Sequence, residues 1–222
     1  MKIKVCGMKY PDNIKELVRL PIDMMGLIFY EKSARYAGYL PADELRIVPP
    51  DIQKVGVFVN ASEEDIFAKI REYDLQIVQL HGDESPDFCR EIKKSGIKVI
   101  KAFRIETAGD LERCGLYENA CDYFLFDTKT PQYGGSGKKF DWGILSSYKG
   151  ETPFILSGGI GVEDAESILE IQNPKLFGVD LNSRFETGAG KKDMEKLRTF
   201  CLSFFTGGPV SRTFICNTLL NH

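Results

Sequence analysis

Short runs rich in β-branched and aromatic residues recur along this chain at 2–6 (KIKVC), 24–29 (MMGLIF), 55–60 (VGVFVN), 77–81 (IVQLH), 98–103 (KVIKAF), 123–127 (YFLFD), 153–157 (PFILS) and 176–180 (LFGVD). Helical signals lie between them. Ser62 is placed to cap a helix in which Ile66, Ile70 and Tyr73 share one face and Glu63, Glu64 and Asp65 fill the first turn. Met194, Leu197, Cys201 and Phe204 mark one face of another helix, and 86–94 and 162–170 read the same way. The second and fifth helical signals are weak. Strands alternating with helices imply a parallel sheet with right-handed crossovers. No low-complexity linker divides the series, which argues against two domains, and eight such units in 222 residues imply an α/β fold, a single-domain (βα)8 TIM barrel over 1–205, with 206–222 as a C-terminal tail. An open doubly wound sheet would carry a glycine-rich turn after its first strand, and Cys6-Gly7-Met8 is not that fingerprint.

Composition removes several function classes. Hydrophobic residues make up 43% and charged residues 27%, which suits a packed globular domain. Lys+Arg 29 against Asp+Glu 32 gives a charge of −3, so no basic field points to nucleic acid. The longest apolar run, Met24 to Tyr30, is far short of the roughly 18 residues of a spanning helix. The opening MKIKVCGMKY has no apolar core of a secretory signal, so the expectation is a cytoplasmic protein without a membrane partner. The 6 cysteines form no CxxC pair and only 2 histidines are present, so no zinc pattern assembles and no metal is expected.

Strand parity points to a site. Lys4 and Cys6 lie on one face of their strand and Ile3 and Val5 on the other. Gln79 and His81 oppose Val78 and Leu80, Leu125 and Asp127 oppose Phe124 and Phe126, and Gly178 and Asp180 oppose Phe177 and Val179. Helices cover the outside of a barrel, so the purely apolar sets should face outward. Cys6, His81, Asp127 and Asp180 then converge at the C-terminal rim, where barrel enzymes place their active sites. Lys4 and Lys101 are expected inward as well, as ion-pair partners of the inward acids. Taken singly, each residue has a plainer reading, a packed thiol or a turn-forming aspartate; it is the convergence that carries weight.

Leu156-Ser157-Gly158-Gly159-Ile160 follows the seventh strand and Asp180-Leu181-Asn182-Ser183-Arg184 the eighth, the two positions from which barrels hold phosphate on backbone N–H groups. A third glycine-rich segment, Tyr133-Gly134-Gly135-Ser136-Gly137-Lys138, lacks P-loop spacing and reads as a loop over the site.

These motifs, in this order, resemble the phosphoribosylanthranilate isomerase family of tryptophan biosynthesis. The resemblance covers about residues 2 to 200 and rests on Lys4-Val5-Cys6-Gly7-Met8, Gln79-Leu80-His81-Gly82, Phe126-Asp127-Thr128 followed by Gly134 to Trp142, Leu156 to Ile160, and Gly178-Val179-Asp180 followed by Glu186. It implies a barrel working without cofactor or metal, as monomer or homodimer. The reaction it implies is the Amadori rearrangement of N-(5-phosphoribosyl)anthranilate to 1-(2-carboxyphenylamino)-1-deoxyribulose 5-phosphate. It further implies that Cys6 is the general base and Asp127 the general acid. Arg35, His81 and Asp180 would bind the anthranilate end, and Gly158, Gly159, Asn182, Ser183 and Arg184 the phosphate. Two departures stand out: no proline precedes Arg35 in Ser33-Ala34-Arg35, and Arg184 stands where the family usually has glycine.

The reaction suits these residue types. An acid protonates the ring oxygen as the aminal bond opens, and a base removes the proton from the adjacent carbon. A free thiol is mostly protonated at neutrality, so Cys6 is expected to need Lys4 beside it to lower its pKa. Two other readings fit less of the pattern. The aminoimidazole carboxamide ribotide isomerase of histidine synthesis uses paired aspartates, and Cys6 stands in the place of the first. A non-catalytic barrel that binds a phosphorylated metabolite would keep the loops without needing the pair.

Overall fold

The computed structural model describes residues 1–128 and 139–206. Eight parallel strands close into a barrel in sequence order: β1 (Lys2–Cys6), β2 (Met24–Ile28), β3 (Gln53–Phe58), β4 (Ile77–Leu80), β5 (Lys98–Ile105), β6 (Tyr123–Thr128), β7 (Phe154–Leu156) and β8 (Leu176–Leu181). The ring closes between β1 and β8, with Lys4 opposite Asp180. A small antiparallel hairpin, β9 (Glu186–Gly188) and β10 (Lys191–Lys192), follows β8. The tail from 207 onward, Cys216 and the 133–138 glycine segment lie outside the described residues.

The crossovers follow their local chemistry. Helix α1 (Pro11–Leu17) follows β1 and opens with a proline, whose fixed φ suits a first turn. In α2 (Glu63–Tyr73) Ser62 Oγ accepts from the Asp65 N–H at 3.1 Å, the cap its sequence predicts. In α3 (Pro86–Lys94) Ser85 Oγ takes the Phe88 N–H. After β7 a 3-10 turn (Val162–Asp164) leads into α4 (Ala165–Leu169), and after β8 the closing helix is α5 (Met194–Thr206). The weak second and fifth signals, and the crossover after β6, are 3-10 segments at Ala42–Ile47, Ala108–Tyr117 and Trp142–Ser147. Large aromatic rings cover the sheet beneath the last two. Phe103 meets Phe124 edge-on at 5.1 Å, Phe126 lies 4.8 Å from Phe154, and Tyr148 packs on Phe126 at 5.2 Å.

Parity holds through most of the barrel. Ile3, Val5, Val78, Leu80, Phe124, Phe126 and Val179 join the outer core, while Cys6, Val57, Ile100, Ala102, Leu125 and Ile155 fill the interior. Two expectations are corrected. The pairing of β7 with β8 shifts by one residue, Phe154 meeting Leu176 but Ile155 meeting Gly178. Phe177 falls in that irregularity and turns inward, where its ring lies 4.6 Å from that of Tyr123. Lys101 sits between the inward Ile100 and Ala102, so it faces outward. Its ammonium is 3.1 Å from Glu84 and donates to the carbonyls of Leu80, Gly82 and Ala102, with no part in the barrel mouth. Among the described residues no helix is long and apolar enough to cross a membrane.

Candidate active site

The strands bring the predicted residues to one pocket at the C-terminal rim. Cys6, Arg35, His81, Asp127, Gly158, Gly159, Asp180, Asn182 and Ser183 all line it. Arg184 does not. Its guanidinium turns to the flank, 2.6 Å from Glu163, where Lys139 is also drawn by Glu163 and Asp164. The structure places Arg184 in a surface ion pair beside the pocket rather than on its wall.

Cys6 ends β1 opposite Gly26 of β2. A Cβ at Gly26 would stand 2.7 Å from the Cys6 sulfur, so the glycine makes room for the thiol. Behind it Lys4 is wholly buried and donates to Asp180 Oδ1 at 2.9 Å. Asp180 and Cys6 together hold the Lys4 ammonium above its ordinary pKa against the opposing effect of burial. The thiol itself shifts the other way from the expectation. Burial pushes the Cys6 pKa up, and the attraction of Lys4 and of Lys192 offsets this only in part. Asp180 takes much of the Lys4 charge and adds its own repulsion.

Across the pocket Asp127 ends the inward row of β6 and accepts the Thr128 N–H at 2.9 Å. Its other oxygen lies 3.4 Å from His81 Nε2. His81 Nδ1 is 2.8 Å from the Gln79 amide nitrogen, which donates to it, leaving the ring proton on Nε2 toward Asp127. Gln79 Oε1 and His81 Nε2 are buried and make no hydrogen bond among the described residues. Parity put Gln79 on the inward face, but nothing in the sequence set it apart as a ligand group.

Gly158 and Gly159 follow β7 with φ of +91° and +65°. A side chain at Gly158 would meet Thr128 and stand 2.9 Å from Asp127 Oδ1, so this turn presses directly on the carboxylate. Arg35, from the loop after β2, crosses over Gly7 and is gripped by Glu186, with Nη2 2.7 Å from one oxygen and Nε 2.9 Å from the other. Glu186 also receives the buried Lys192 at 2.6 Å. Sequence reasoning missed Lys192 because a lysine beside a second lysine on a glycine-rich hairpin reads as solvated.

The described residues contain no group of three or more His, Cys, Asp or Glu side chains placed to hold a metal ion. The pocket offers a thiol and a carboxylate from strands three apart in the ring, an arginine at one edge, the Gly158-Gly159 turn after β7 and the Asn182-Ser183 turn after β8. Fold and site together define a (βα)8-barrel enzyme equipped for acid–base chemistry on a small anionic molecule. The family model of N-(5'-phosphoribosyl)anthranilate isomerase matches residues 3–202. The N-(5'-phosphoribosyl)anthranilate isomerase of Parabacteroides distasonis is 50% identical over 202 residues, covering 90% of this chain and 91% of that one. The crystal structure of the Thermotoga maritima isomerase superposes with a TM-score of 0.78 at 34% identity, over 93% of this chain and 99% of that one. A phosphoribosylanthranilate isomerase in complex with reduced 1-(o-carboxyphenylamino)-1-deoxyribulose 5-phosphate superposes with a TM-score of 0.75 at 30% identity, over 93% of this chain and 99% of that one. The chain belongs to the phosphoribosylanthranilate isomerase family, the isomerases of tryptophan biosynthesis.

Proposed function

We propose that this protein isomerises N-(5-phosphoribosyl)anthranilate to 1-(2-carboxyphenylamino)-1-deoxyribulose 5-phosphate, with Asp127 as general acid and Cys6 as general base. Asp127 gives its proton to the ribose ring oxygen as the C1–O bond breaks, and the anthranilate nitrogen stabilises the iminium that results. The C2 proton is then acidic, and the Cys6 thiolate removes it to give an enolamine. Proton return to C1 and loss of the C2 hydroxyl proton give the ketone, so the sum is an isomerisation with no cofactor. The observation that carries this reading is that Cys6 and Asp127, from strands three apart in the ring, line one pocket.

Arg35 binds the anthranilate carboxylate, and His81 and Asp180 flank the aromatic end and the ribose hydroxyls. The phosphate rests on backbone N–H groups of the turns bearing Gly158, Gly159, Asn182 and Ser183. The protein works in the cytoplasm as monomer or homodimer; the free, buried state of Cys6, Cys89, Cys114, Cys121 and Cys201 suits a reducing compartment.

The decisive measurement is the loss of phosphoribosylanthranilate fluorescence with purified protein. Wild-type protein is expected to turn it over, and Cys6→Ala and Asp127→Asn each to lower kcat by at least ~10²-fold. A wild-type protein without turnover overturns the reaction, and wild-type kcat in Cys6→Ala overturns the base.

A further inference from the structure

The hairpin after β8 inserts a cation into the edge of the barrel mouth. Lys192 pairs across it with Glu186, and the turn is made by Gly190 with φ +80°. Asn13 of α1 clamps the lysine backbone, accepting its N–H at 2.6 Å and donating to its carbonyl at 3.0 Å. The Lys192 side chain is fully buried, and its ammonium lies 2.6 Å from Glu186 Oε1 and 2.7 Å from Asn182 Oδ1. Glu186 in turn accepts from Nε and Nη2 of Arg35 and from the Gly190 N–H. A row of alternating charge, Lys192–Glu186–Arg35, therefore ends on a side chain that lines the pocket.

Burying a lysine costs free energy, and burial lowers the Lys192 pKa despite Glu186 beside it. Arg35 would be gripped by Glu186 with or without that lysine. What the second cation changes is the charge seen from the pocket. Glu186 takes Nε and one N–H of Nη2, which leaves the Nη1–Nη2 edge of the guanidinium, the edge that matches a carboxylate in two-point contact. An Arg35–Glu186 pair alone is neutral and draws a carboxylate to this edge only as a dipole does, the more distant Glu186 cancelling most of the pull. With Lys192 the row carries one net positive charge, and Arg35 presents it.

We propose that Lys192 is a selectivity residue acting through Arg35: by balancing Glu186 it keeps the guanidinium that Glu186 holds attractive to the carboxylate of an aryl-amine substrate. This rests on the reading that the pocket takes phosphoribosylanthranilate and deepens it. It separates from a merely structural role, because structural damage weakens every ligand and loss of this charge weakens only carboxylated ones.

Two probes make the distinction, the reduced product 1-(2-carboxyphenylamino)-1-deoxyribitol 5-phosphate and its phenylamino counterpart without the carboxylate. Their Kd values are measured by titration calorimetry on wild type, Lys192→Gln and the Glu186→Gln/Lys192→Gln double variant. The Lys192→Gln substitution keeps an N–H donor for the neighbouring groups and removes the charge; the double variant has no buried charge left to compensate, so it keeps a foldable partner set. Wild type is expected to prefer the carboxylated probe by at least ~10-fold. Lys192→Gln should lose most of that preference while its Kd for the other probe stays within ~3-fold, and the double variant should regain part of it. Equal weakening of both probes, or a double variant no more selective than Lys192→Gln, overturns the proposal. A wild-type protein that binds the carboxylated probe no better than the other overturns the assignment of Arg35 as well, and so marks failure of the underlying reading.

Discussion

At the scale of single residues, the balance at Cys6 decides how the reaction responds to pH. A thiol at a barrel rim next to a lysine suggests an activated thiolate. The structure instead buries it, lets Asp180 compete for Lys4, and so raises its pKa. A base with a raised pKa is stronger once deprotonated but scarcer at neutrality. The sign follows directly: below the Cys6 pKa of the free enzyme the thiolate fraction falls tenfold for each pH unit, so log kcat/KM should climb with a slope near +1 from neutral into alkaline solution. Alkylation by iodoacetamide, slow at neutral pH, should rise along the same curve and abolish activity. A flat kcat/KM between about pH 7 and 9 would show a thiol already ionised at neutrality. The sequence makes Cys6 legible by its place at a strand end. Its electrostatics are not legible, because they depend on burial and on a lysine from a hairpin far along the chain.

At the scale of elements, strand positions are readable because parallel barrel strands are short and dense in Val, Ile and Phe. β1 falls on 2–6 as the residues predict, and β8 runs one residue beyond its predicted end. Parity fails in two places for separate reasons. In β5, apolar Val99, Ile100, Ala102 and Phe103 occupy both faces, so only the pairing with its neighbours decides that Lys101 points out. In β8, the register shift beside Phe154 turns Phe177 inward, and its one local signal, the lone Gly178, does not say which side chain turns. The 3-10 crossovers are similarly silent: Trp142–Ser147 has too few apolar positions at helical spacing to declare itself. The turn after β7 carries the clearest prediction at this scale. Gly158→Ala would force a side chain onto φ +91° and into the Thr128 backbone, a strain of roughly 1–3 kcal/mol. Because the same Cβ approaches Asp127, kcat should fall by at least ~10-fold, the scale of a misplaced acid. A Gly158→Ala protein with wild-type kcat and stability would show that the turn can move independently of the carboxylate.

At the scale of the whole molecule, stability and chemistry draw on different buried charges. The Lys101–Glu84 pair lies outside the barrel, with both side chains 3% exposed, and ties β5 to the loop after β4. Lys101→Met leaves Glu84 buried beside only backbone donors, so it should destabilise by about 3–5 kcal/mol, read as a lowered midpoint in urea. Glu84→Gln/Lys101→Met should recover part of that loss. A Lys101→Met midpoint equal to wild type would show that water reaches the pair.

The inward turn of Phe177 onto Tyr123 reaches further than the bottom of the sheet where it occurs. The two rings close the N-terminal end of a barrel already filled by Val57, Ile100, Ala102, Leu125 and Ile155, so the pocket has no exit along the barrel axis. Traffic is single-file: what enters over the rim must back out over the same rim before the next molecule descends. Spent and fresh molecules thus contend for one doorway.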